Sequence, residues 1–522
     1  MVSHDAWKNL PFLGFDEGQL RYRPLWEKAA RDILELEARG ERVGLIAETG
    51  AGKTIIALLA VIADKKRTLF LTTKRILTGQ HGRLLLNMTG GFIESRTING
   101  ETKHADRIWN NEEELVVFST PQIVRHELKY FQRIVIDEFH RAVRNYSYVE
   151  LVKRALGQNL AILALSASPA SDREKLETVM RNCGITYHLR VDRPDSPKRF
   201  EDLVIAEPDE TLRKVDDLFA ELFLEALREL KEIFACLGHE LKAEKGYIPE
   251  SEIQAAEKHI STLTRKTDKY FEAISLIAKY KKLRHAHKVV MTESYETFEA
   301  YVRERISDDE SRSAKAIRES GAFKTILGLV RDRSVEHPKV AKCIEVVSSM
   351  HRTSRRGLIF FEFKVTASCL EKKLGEAGFR KIKTLFGGKD RSVDRQKEVI
   401  EQLKAGEINF ILATSVLEEG IAVPEVDVVI HYSMPASPIS RIQRSGRTAR
   451  VRNGNVVYIT LNHFLDWARY SRSKSGVRKM NELVGGQPVL PARPRTVRPR
   501  TVPQRERRAH DGQLSLAFTL HP

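Results

Sequence analysis

Short apolar runs alternate with amphipathic stretches in two separate parts of the chain, and no other feature restricts the fold more. Near the N-terminal end, runs rich in β-branched residues or leucine lie at Val43–Ala47, Thr68–Thr72, Leu115–Ser119, Ile134–Asp137 and Ala161–Ser166. A second set comprises Leu358–Phe361, Asn409–Ala413, Val426–His431 and Val456–Leu461. Strands that are apolar on both sides need helices on both faces of their sheet. The pattern therefore predicts two α/β lobes, each built on a parallel sheet.

The stretch between the two sets has a different pattern. From Val215 to Leu237 apolar residues recur at helical spacing, and similar patterns continue to Val330 with almost no strand signal. We therefore predict an all-helical insertion. The predicted domains are a first lobe at 1–207, the insertion at 208–334, a second lobe at 335–484 and a tail at 485–522.

Composition excludes several classes of protein. The chain has no apolar run of about 18 residues, which excludes a transmembrane protein. Its four cysteines form no Cys-x-x-Cys pair, which argues against both a zinc site and a disulfide framework and indicates a reducing cytosol. The 87 Lys and Arg residues against 70 Asp and Glu give a net charge of +17, which indicates a polyanionic partner. Seven arginines and five prolines between Pro488 and Asp511 predict an extended basic tail.

A glycine-rich segment, AETGAGKT at 47–54, follows the first predicted strand and precedes the apolar stretch Ile55–Ala63. Glycines there allow backbone N–H groups to surround phosphate oxygens at a helix N-terminus. Lys53 would reach the β- and γ-phosphates of ATP, and the Thr54 hydroxyl would bind Mg²⁺. The strict pattern has glycine where Ala47 stands, and a purely structural turn is the alternative. The predicted ATP-binding residues of this segment are Thr49, Gly50, Ala51, Gly52, Lys53 and Thr54.

Two carboxylates end another predicted strand, in the segment IVIDEFH at 134–140. The carboxyl edge of an open parallel sheet is where ligands bind. Asp137 would hold the Mg²⁺ shell, and Glu138 would orient and deprotonate an attacking water. The alternative is that both side chains cap the helix that follows.

Three arginines lie close together in the second lobe, in the segment QRSGRTAR at 443–450. Arg447 and Arg450 would reach a γ-phosphate across a cleft, with Gln443 also at the nucleotide. Such arginines typically raise the rate of phosphoryl transfer by about 10³–10⁵-fold. A solvated basic turn is the alternative for the isolated string.

Taken together, eight segments resemble the motifs of superfamily 2 helicases. They are AETGAGKT at 47–54, TTKRILTGQH at 72–81, TPQ at 120–122, DEFH at 137–140, SAS at 166–168, FFEFKVTA at 360–367, ATSVLEEGIAVP at 413–424 and QRSGRTAR at 443–450. The resemblance implies two RecA-like lobes with a DEAH/DExH-type ATPase site between them. Longer strings, such as DEFHRAVRNYSYVELV at 137–152, resemble the archaeal Hef and Fanconi anaemia M translocase branch, which also carries a helical insertion. Hef-like proteins add a nuclease domain, and none is expected here.

The resemblance also implies roles for individual residues. Backbone contacts to nucleic acid would come from Thr73, Lys74, Thr120, Gln122 and Thr414, whereas His140, Ser166 and Ser168 would couple hydrolysis to lobe motion. The chain departs from the family pattern at Ala422, where aspartate is usual. It also departs at Trp26, which stands at the position of an adenine-reading glutamine. Tryptophan can stack on a base but cannot hydrogen-bond it bidentately.

Two further segments predict contacts with partners. Nine basic and two acidic residues lie between Lys258 and Lys288, and helical spacing puts Lys281, Arg284 and Lys288 on one face. We expect this face to contact duplex or branched DNA, a solvated face being the alternative. The segment QLSLAF at 513–518 resembles the bacterial sliding-clamp-binding peptide, with a short terminal strand or a frayed tail as the alternative. Its predicted clamp-binding residues are Gln513, Leu514, Leu516 and Phe518.

The sequence thus predicts an ATP-driven, Mg²⁺-dependent DNA helicase or translocase that acts on forked or branched DNA in replication or repair. We expect it in the cytoplasm, associated with the nucleoid of a prokaryote or with a phage. Two alternatives remain open. One is an RNA or double-stranded-RNA helicase, because Dicer-type relatives share the motifs, and the other is a hydrolysis-weak clamp-binding scaffold.

Overall fold

The computed structural model describes residues 7–483, apart from residues 101, 103–108, 110–112, 125–126, 145, 171, 194–196, 245–246, 333–334, 352–354, 388–392, 419–422 and 450–451. Seven parallel strands form the first sheet, in the order β3-β4-β2-β5-β6-β1-β7. They are β1 (Val43–Ala47), β2 (Thr68–Leu71), β3 (Ser95–Ile98), β4 (Val116–Ser119), β5 (Arg133–Asp137), β6 (Ala161–Ser166) and β7 (Tyr187–Val191).

The helices around this sheet bury one apolar core on each of its faces. They are α1 (Glu17–Leu20), α2 (Arg23–Ala38), α3 (Lys53–Asp64), α4 (Arg75–Thr89), α5 (Ser147–Gly157) and α6 (Arg173–Asn182), with short 3₁₀ helices at Pro121–Ile123, Glu127–Tyr130 and Phe139–Arg141. The predicted parallel α/β lobe is confirmed.

A second parallel sheet of six strands has the order β10-β11-β9-β12-β13-β8. Its strands are β8 (Arg199–Ala206), β9 (Gly357–Phe360), β10 (Ile382–Leu385), β11 (Phe410–Ala413), β12 (Val428–His431) and β13 (Gly454–Leu461). The surrounding helices are α13 (Pro338–His351), α14 (Lys364–Glu376), α15 (Val393–Ala405), α16 (Pro438–Ser445) and α17 (Phe464–Leu483), with a 3₁₀ turn at Ser415–Leu417. The second α/β lobe is confirmed as well.

Strand β8 crosses between the lobes before the insertion begins. It lies inside the range 1–207 that was predicted for the first lobe, yet all eight of its residues pair with β13 of the second sheet. The chain therefore passes to the second sheet between β7 and β8, and the insertion leaves from that sheet and returns to it.

The insertion is helical, as predicted. Its helices are α7 (Glu210–Cys236), α8 (Glu250–Thr262), α9 (Asp268–Thr292), α10 (Tyr295–Val302), α11 (Arg312–Glu319) and α12 (Gly321–Arg331), with a π-helical turn at Arg303–Ser307. They share one apolar core with Leu461, Phe363 and Leu465 of the second lobe. The insertion therefore packs as an extension of the second lobe.

A buried polar contact fixes the insertion to this lobe. The Glu293 carboxylate, at the end of α9, accepts hydrogen bonds from Ser433 Oγ at 2.9 Å and from Thr366 Oγ1 at 3.2 Å. Tyr432 donates its hydroxyl to the Glu293 carbonyl oxygen. Complete burial raises the pKa of Glu293 to about 7.

The described part of the chain contains no helix that is long and apolar enough to cross a membrane. The predicted basic tail and QLSLAF segment, together with Ala422 and Arg450, lie outside the described residues.

Candidate active site between the two lobes

The glycine-rich segment forms a phosphate loop between β1 and α3. Gly50 and Gly52 have φ values of +86° and +89°, in the left-handed region that favours glycine. Gly52 is the N-cap of α3, and Lys53 is its first residue. The loop thus ends at the N-terminus of a twelve-residue helix, where free backbone N–H groups favour an anion.

Trp26 of α2 holds this loop through a hydrogen bond and close packing. Its indole Nε1 donates to the Ala51 carbonyl oxygen at 2.9 Å, and a Cβ on Gly52 would stand 2.4 Å from the same nitrogen. Trp26 is only 3% exposed and packs against Phe12 and Phe15. The expectation that Trp26 can stack on a nucleotide base is therefore wrong, because its ring belongs to the core of the first lobe.

A second side chain also holds the loop. Arg193, which follows β7, donates from Nη1 to the Gly50 carbonyl oxygen at 3.3 Å. Its guanidinium lies 4.0 Å from the centre of the Tyr22 ring, in a cation–π contact. Two carbonyl groups of the loop therefore accept hydrogen bonds from side chains outside it, which fixes the loop at the N-terminus of α3.

The two predicted carboxylates lie at the end of β5. Asp137 is 6% exposed, and its Oδ2 is 3.3 Å from Nε2 of His81. Tyr148 donates its hydroxyl to the Asp137 carbonyl oxygen at 2.8 Å, and burial with the Asp137 charge nearby raises the pKa of Tyr148 well above its usual value. Sequence reasoning assigned no role to His81, although it ends the TTKRILTGQH segment.

Glu138 adopts a left-handed backbone conformation with φ of +54°, which is uncommon for a residue with a side chain. The Glu138 side chain makes no capping hydrogen bond to the short helix Phe139–Arg141, so helix capping does not explain the presence of this carboxylate. Instead Glu138 Oε2 lies 3.2 Å from Nδ1 of His140, which is also 3.2 Å from Ser166 Oγ. The Ser168 N–H donates to Ser166 Oγ at 3.2 Å. A continuous polar chain thus links the end of β5 to the end of β6.

The second lobe meets the phosphate loop at Gly446, just after α16. A Cβ on Gly446 would stand 2.5 Å from Cγ2, 2.6 Å from Cβ and 2.9 Å from Oγ1 of Thr49. The next residue, Arg447, is 8% exposed and donates from Nη2 to the Glu418 carbonyl oxygen at 2.7 Å. Gln443 is buried on α16. The structure thus brings the 443–447 segment of the second lobe against the phosphate loop of the first.

Glu418 also binds Arg444 through its carboxylate, with Arg444 Nε 2.7 Å from Oε1. The 413–424 and 443–450 segments are therefore linked by an ion pair as well as by the Arg447 contact. The sequence contained both partners, but nothing in their spacing indicated the pairing.

The residues predicted to touch nucleic acid follow the ends of three strands. Thr73 and Lys74 follow β2, Thr120 follows β4, and Thr414 follows β11; Gln122 is exposed in the 3₁₀ helix after Thr120. Lys74 Nζ donates across the lobes to the Val416 carbonyl oxygen at 3.3 Å. This hydrogen bond puts Lys74, a predicted nucleic-acid contact of the first lobe, beside the segment of the second lobe that contains Thr414.

The predicted basic face of the insertion is largely ion-paired within the protein. Lys281 Nζ lies 2.8 Å from a Glu257 carboxylate oxygen, Lys288 Nζ lies 2.6 Å from one of Glu362, and Arg284 pairs with Glu250. A DNA phosphate would have to compete with these carboxylates. The predicted DNA contact of this face remains a prediction.

Comparison with known proteins agrees with this geometry. The DEAD/DEAH box helicase family matches residues 24–176, and the helicase conserved C-terminal domain matches residues 338–452. The solved Hef helicase domain of Pyrococcus furiosus is 25% identical, with a TM-score of 0.61 over 90% of this chain and 99% of that one. The chain therefore contains both domains of a superfamily 2 helicase and is similar to the Hef and Fanconi anaemia M-like branch. Helicase MrfA, solved bound to DNA, shares the fold at 14% identity, with a TM-score of 0.53 over 86% of this chain and 48% of its own.

Curated relatives of this helicase family extend along most of the chain. A putative ATP-dependent RNA helicase of Methanocaldococcus jannaschii is 27% identical over 89% of this chain and 61% of its own length. The ATP-dependent DNA helicases mph1 of Neurospora crassa and fml1 of Schizosaccharomyces pombe are each 25% identical, over 79% and 86% of this chain. The chain spans 39% of the Neurospora protein and 58% of the Schizosaccharomyces protein.

Proposed function

We propose that this protein is an ATP-dependent DNA helicase or translocase that acts on forked or branched DNA. The observation that carries the proposal is the approach of Gly446 to Thr49, because it puts the arginine-bearing segment of the second lobe beside the phosphate loop of the first. A nucleotide bound on the loop would touch both lobes. Its hydrolysis would therefore change the contact between them.

Side chains of both lobes share the chemistry of ATP hydrolysis. Lys53, at the N-terminus of α3, neutralises the β- and γ-phosphates, and Glu138 accepts a proton from the attacking water. Arg447 stabilises the charge that develops on the transferring phosphoryl group. Thr54 and the buried carboxylate of Asp137 fit a Mg²⁺ ion, which when bound neutralises phosphate charge.

The polar chain from Glu138 through His140 to Ser166 supplies the coupling. His140 contacts both the catalytic carboxylate and the end of β6, so a change in the charge of Glu138 alters a contact that reaches Ser168. The Lys74–Val416 contact lies between the lobes beside the predicted nucleic-acid residues. Opening the lobes would break this contact and shift a bound strand relative to one lobe.

The names of the relatives favour DNA and also leave a second candidate. The mph1 and fml1 relatives are DNA helicases, whereas the Methanocaldococcus relative is named a putative RNA helicase. ATPase rates measured with forked DNA, duplex DNA, single-stranded DNA and duplex RNA separate the two. We expect forked DNA to stimulate most, and maximal stimulation by duplex RNA would favour the RNA helicase. Salt must be held constant because phosphate contacts weaken as salt rises.

The catalytic assignment has a separate test. Lys53→Ala and Glu138→Gln should each abolish stimulated ATP turnover, and Glu138→Gln should still bind ATP because it keeps the phosphate loop. Glu150→Gln, on the exposed face of α5, is the matched control and should hydrolyse at the wild-type rate. Retained turnover in either active-site variant would refute the mechanism. Abolished turnover together with normal wild-type stimulation excludes the hydrolysis-weak scaffold.

The segment 513–518 supports a further proposal, that the C-terminal segment of the chain tethers the motor to a sliding clamp. Its support is the sequence pattern alone, an apolar segment after a basic, proline-rich stretch. Deleting residues 513–522 should remove binding to a bacterial clamp and leave ATPase activity unchanged. Undiminished binding would contradict the proposal.

A further inference from the structure

Three metal-ligating side chains from three different elements meet where the insertion joins the second lobe. Asp216 lies on α7, His287 on α9, and His463 immediately before α17. Asp216 Oδ1 is 2.7 Å from His287 Nε2 and 3.3 Å from His463 Nε2, and one ligand atom from each residue lies within 4.8 Å of the other two. The cluster joins two residues of the insertion to one of the second lobe, and it shares no residue with the ATPase site.

We propose that this cluster binds a Zn²⁺ ion that fastens the helical insertion to the second lobe. Two imidazole nitrogens and one carboxylate oxygen form a common donor set for zinc. With zinc–nitrogen and zinc–oxygen distances of about 2.0–2.2 Å, tetrahedral ligand atoms stand about 3.3 Å apart. The 3.3 Å separation of Asp216 from His463 equals this value, and the 2.7 Å separation of Asp216 from His287 must lengthen when the ion enters.

The surroundings of the cluster support a metal. His463 is 8% exposed, and its Nε2 makes no hydrogen bond of acceptable geometry although it lies 3.3 Å from the Asp216 carboxylate. A pair arranged only for hydrogen bonding would direct the N–H at the oxygen. Zinc needs only that the lone pairs converge on one point. Binding through Nε2 would place the His463 proton on Nδ1, at the expense of a 3.4 Å contact from the Leu465 N–H.

Access and shielding are also suitable. The Asp216 side chain is 37% exposed, so the site opens to solvent at this residue. On the other side aromatic rings surround the histidines: the His287 ring centre is 5.0 Å from that of Phe219 and 5.4 Å from that of Phe223, and the His463 ring is 4.5 Å from Phe464. An apolar shell of this kind limits solvent access to a metal.

The test uses the full chain with any histidine tag removed, because a tag binds zinc itself. After incubation with Zn²⁺ and gel filtration, elemental analysis should find about one zinc per chain. Asp216→Asn keeps the size and the hydrogen-bond acceptor but loses the charge, so it should fold normally and lose the zinc. The neighbouring exposed Asp217→Asn is the matched control and should keep it.

A second measurement covers the histidines. Co²⁺ bound in place of Zn²⁺ should give visible absorption bands that disappear in His463→Gln, while circular dichroism of that variant stays native. Absence of zinc from the wild-type chain would overturn the proposal. Retention of a full equivalent by a folded Asp216→Asn variant would overturn it as well, and would leave the cluster as a hydrogen-bonded contact.

Discussion

The substitution Gly446→Ala tests whether the contact between the lobes controls hydrolysis. The added Cβ would lie 2.5–2.9 Å from three side-chain atoms of Thr49, whereas carbon atoms in ordinary contact are about 3.5–4.0 Å apart. The second lobe must therefore move back by about 1 Å at this point. Overpacking of this kind costs about 1–3 kcal/mol, which corresponds to a loss of about 5- to 150-fold in rate if it acts on the closed state.

The assay is the nucleic-acid-stimulated ATPase rate, measured with Thr49→Gly and the double variant as a cycle. Removing the Thr49 side chain makes space for the new methyl group. The double variant should therefore lose much less than the product of the two single losses. Thermal unfolding of Gly446→Ala should remain close to wild type, because the clash lies between the lobes. A wild-type rate in Gly446→Ala, or purely additive losses in the cycle, would refute the reasoning.

Three other predictions follow from buried contacts. Trp26→Phe removes the hydrogen-bond donor to the Ala51 carbonyl, so it should raise the KM for ATP roughly fivefold (about 1 kcal/mol) without changing the ratio of ATP to GTP use. Trp467→Phe is the control: it loses a more exposed hydrogen bond and should have little effect on either quantity. Lys339→Met leaves the fully buried Asp466 without its cation and should lower the free energy of unfolding by about 3–5 kcal/mol, against less than about 1 kcal/mol for Lys342→Met on the same helix, as denaturant titration will show. Folding raises the pKa of Glu293 from 4.5 to about 7, so the folded protein holds more protons and the stability of the wild type should fall as pH rises through this interval. Glu293→Gln should therefore be more stable than the wild type at pH 8 but not at pH 4.5. Equal differences in melting temperature at both pH values would contradict this.

The sequence predicted the central strands of both sheets and missed the outer ones. All nine predicted apolar runs correspond to strands, because central strands of a parallel sheet are buried on both faces. The four strands without such a run, β3, β7, β8 and β10, are the outermost strands of the two sheets. Edge strands pair on one side and are partly exposed, so they carry no continuous apolar signal. The crossing of β8 into the second sheet is a long-range pairing that local patterns do not contain.

At the ATPase site, the positions of the phosphate loop and of the two carboxylates could be predicted from local sequence motifs. Gly50 and Gly52 lie within one contiguous segment and Asp137 and Glu138 within another, and the strands and helices around them appear where the spacing predicts. The expected role of Trp26 was wrong because the burial of its ring depends on Phe12, Phe15 and the phosphate loop, which lie outside its own segment. The partners of Lys281 and Lys288 were missed for a similar reason, since Glu257 and Glu362 lie on other elements.

The most direct test of whether both lobes form the ATPase site compares one variant from each lobe under the same conditions. Lys53→Ala and Arg447→Ala are measured for forked-DNA-stimulated ATP turnover, with ATP binding followed separately. If the active site is formed by both lobes, each variant should lose turnover, and Arg447→Ala should still bind ATP through the intact phosphate loop. Wild-type turnover in Arg447→Ala would contradict the account, because the first lobe would then hydrolyse ATP without the second.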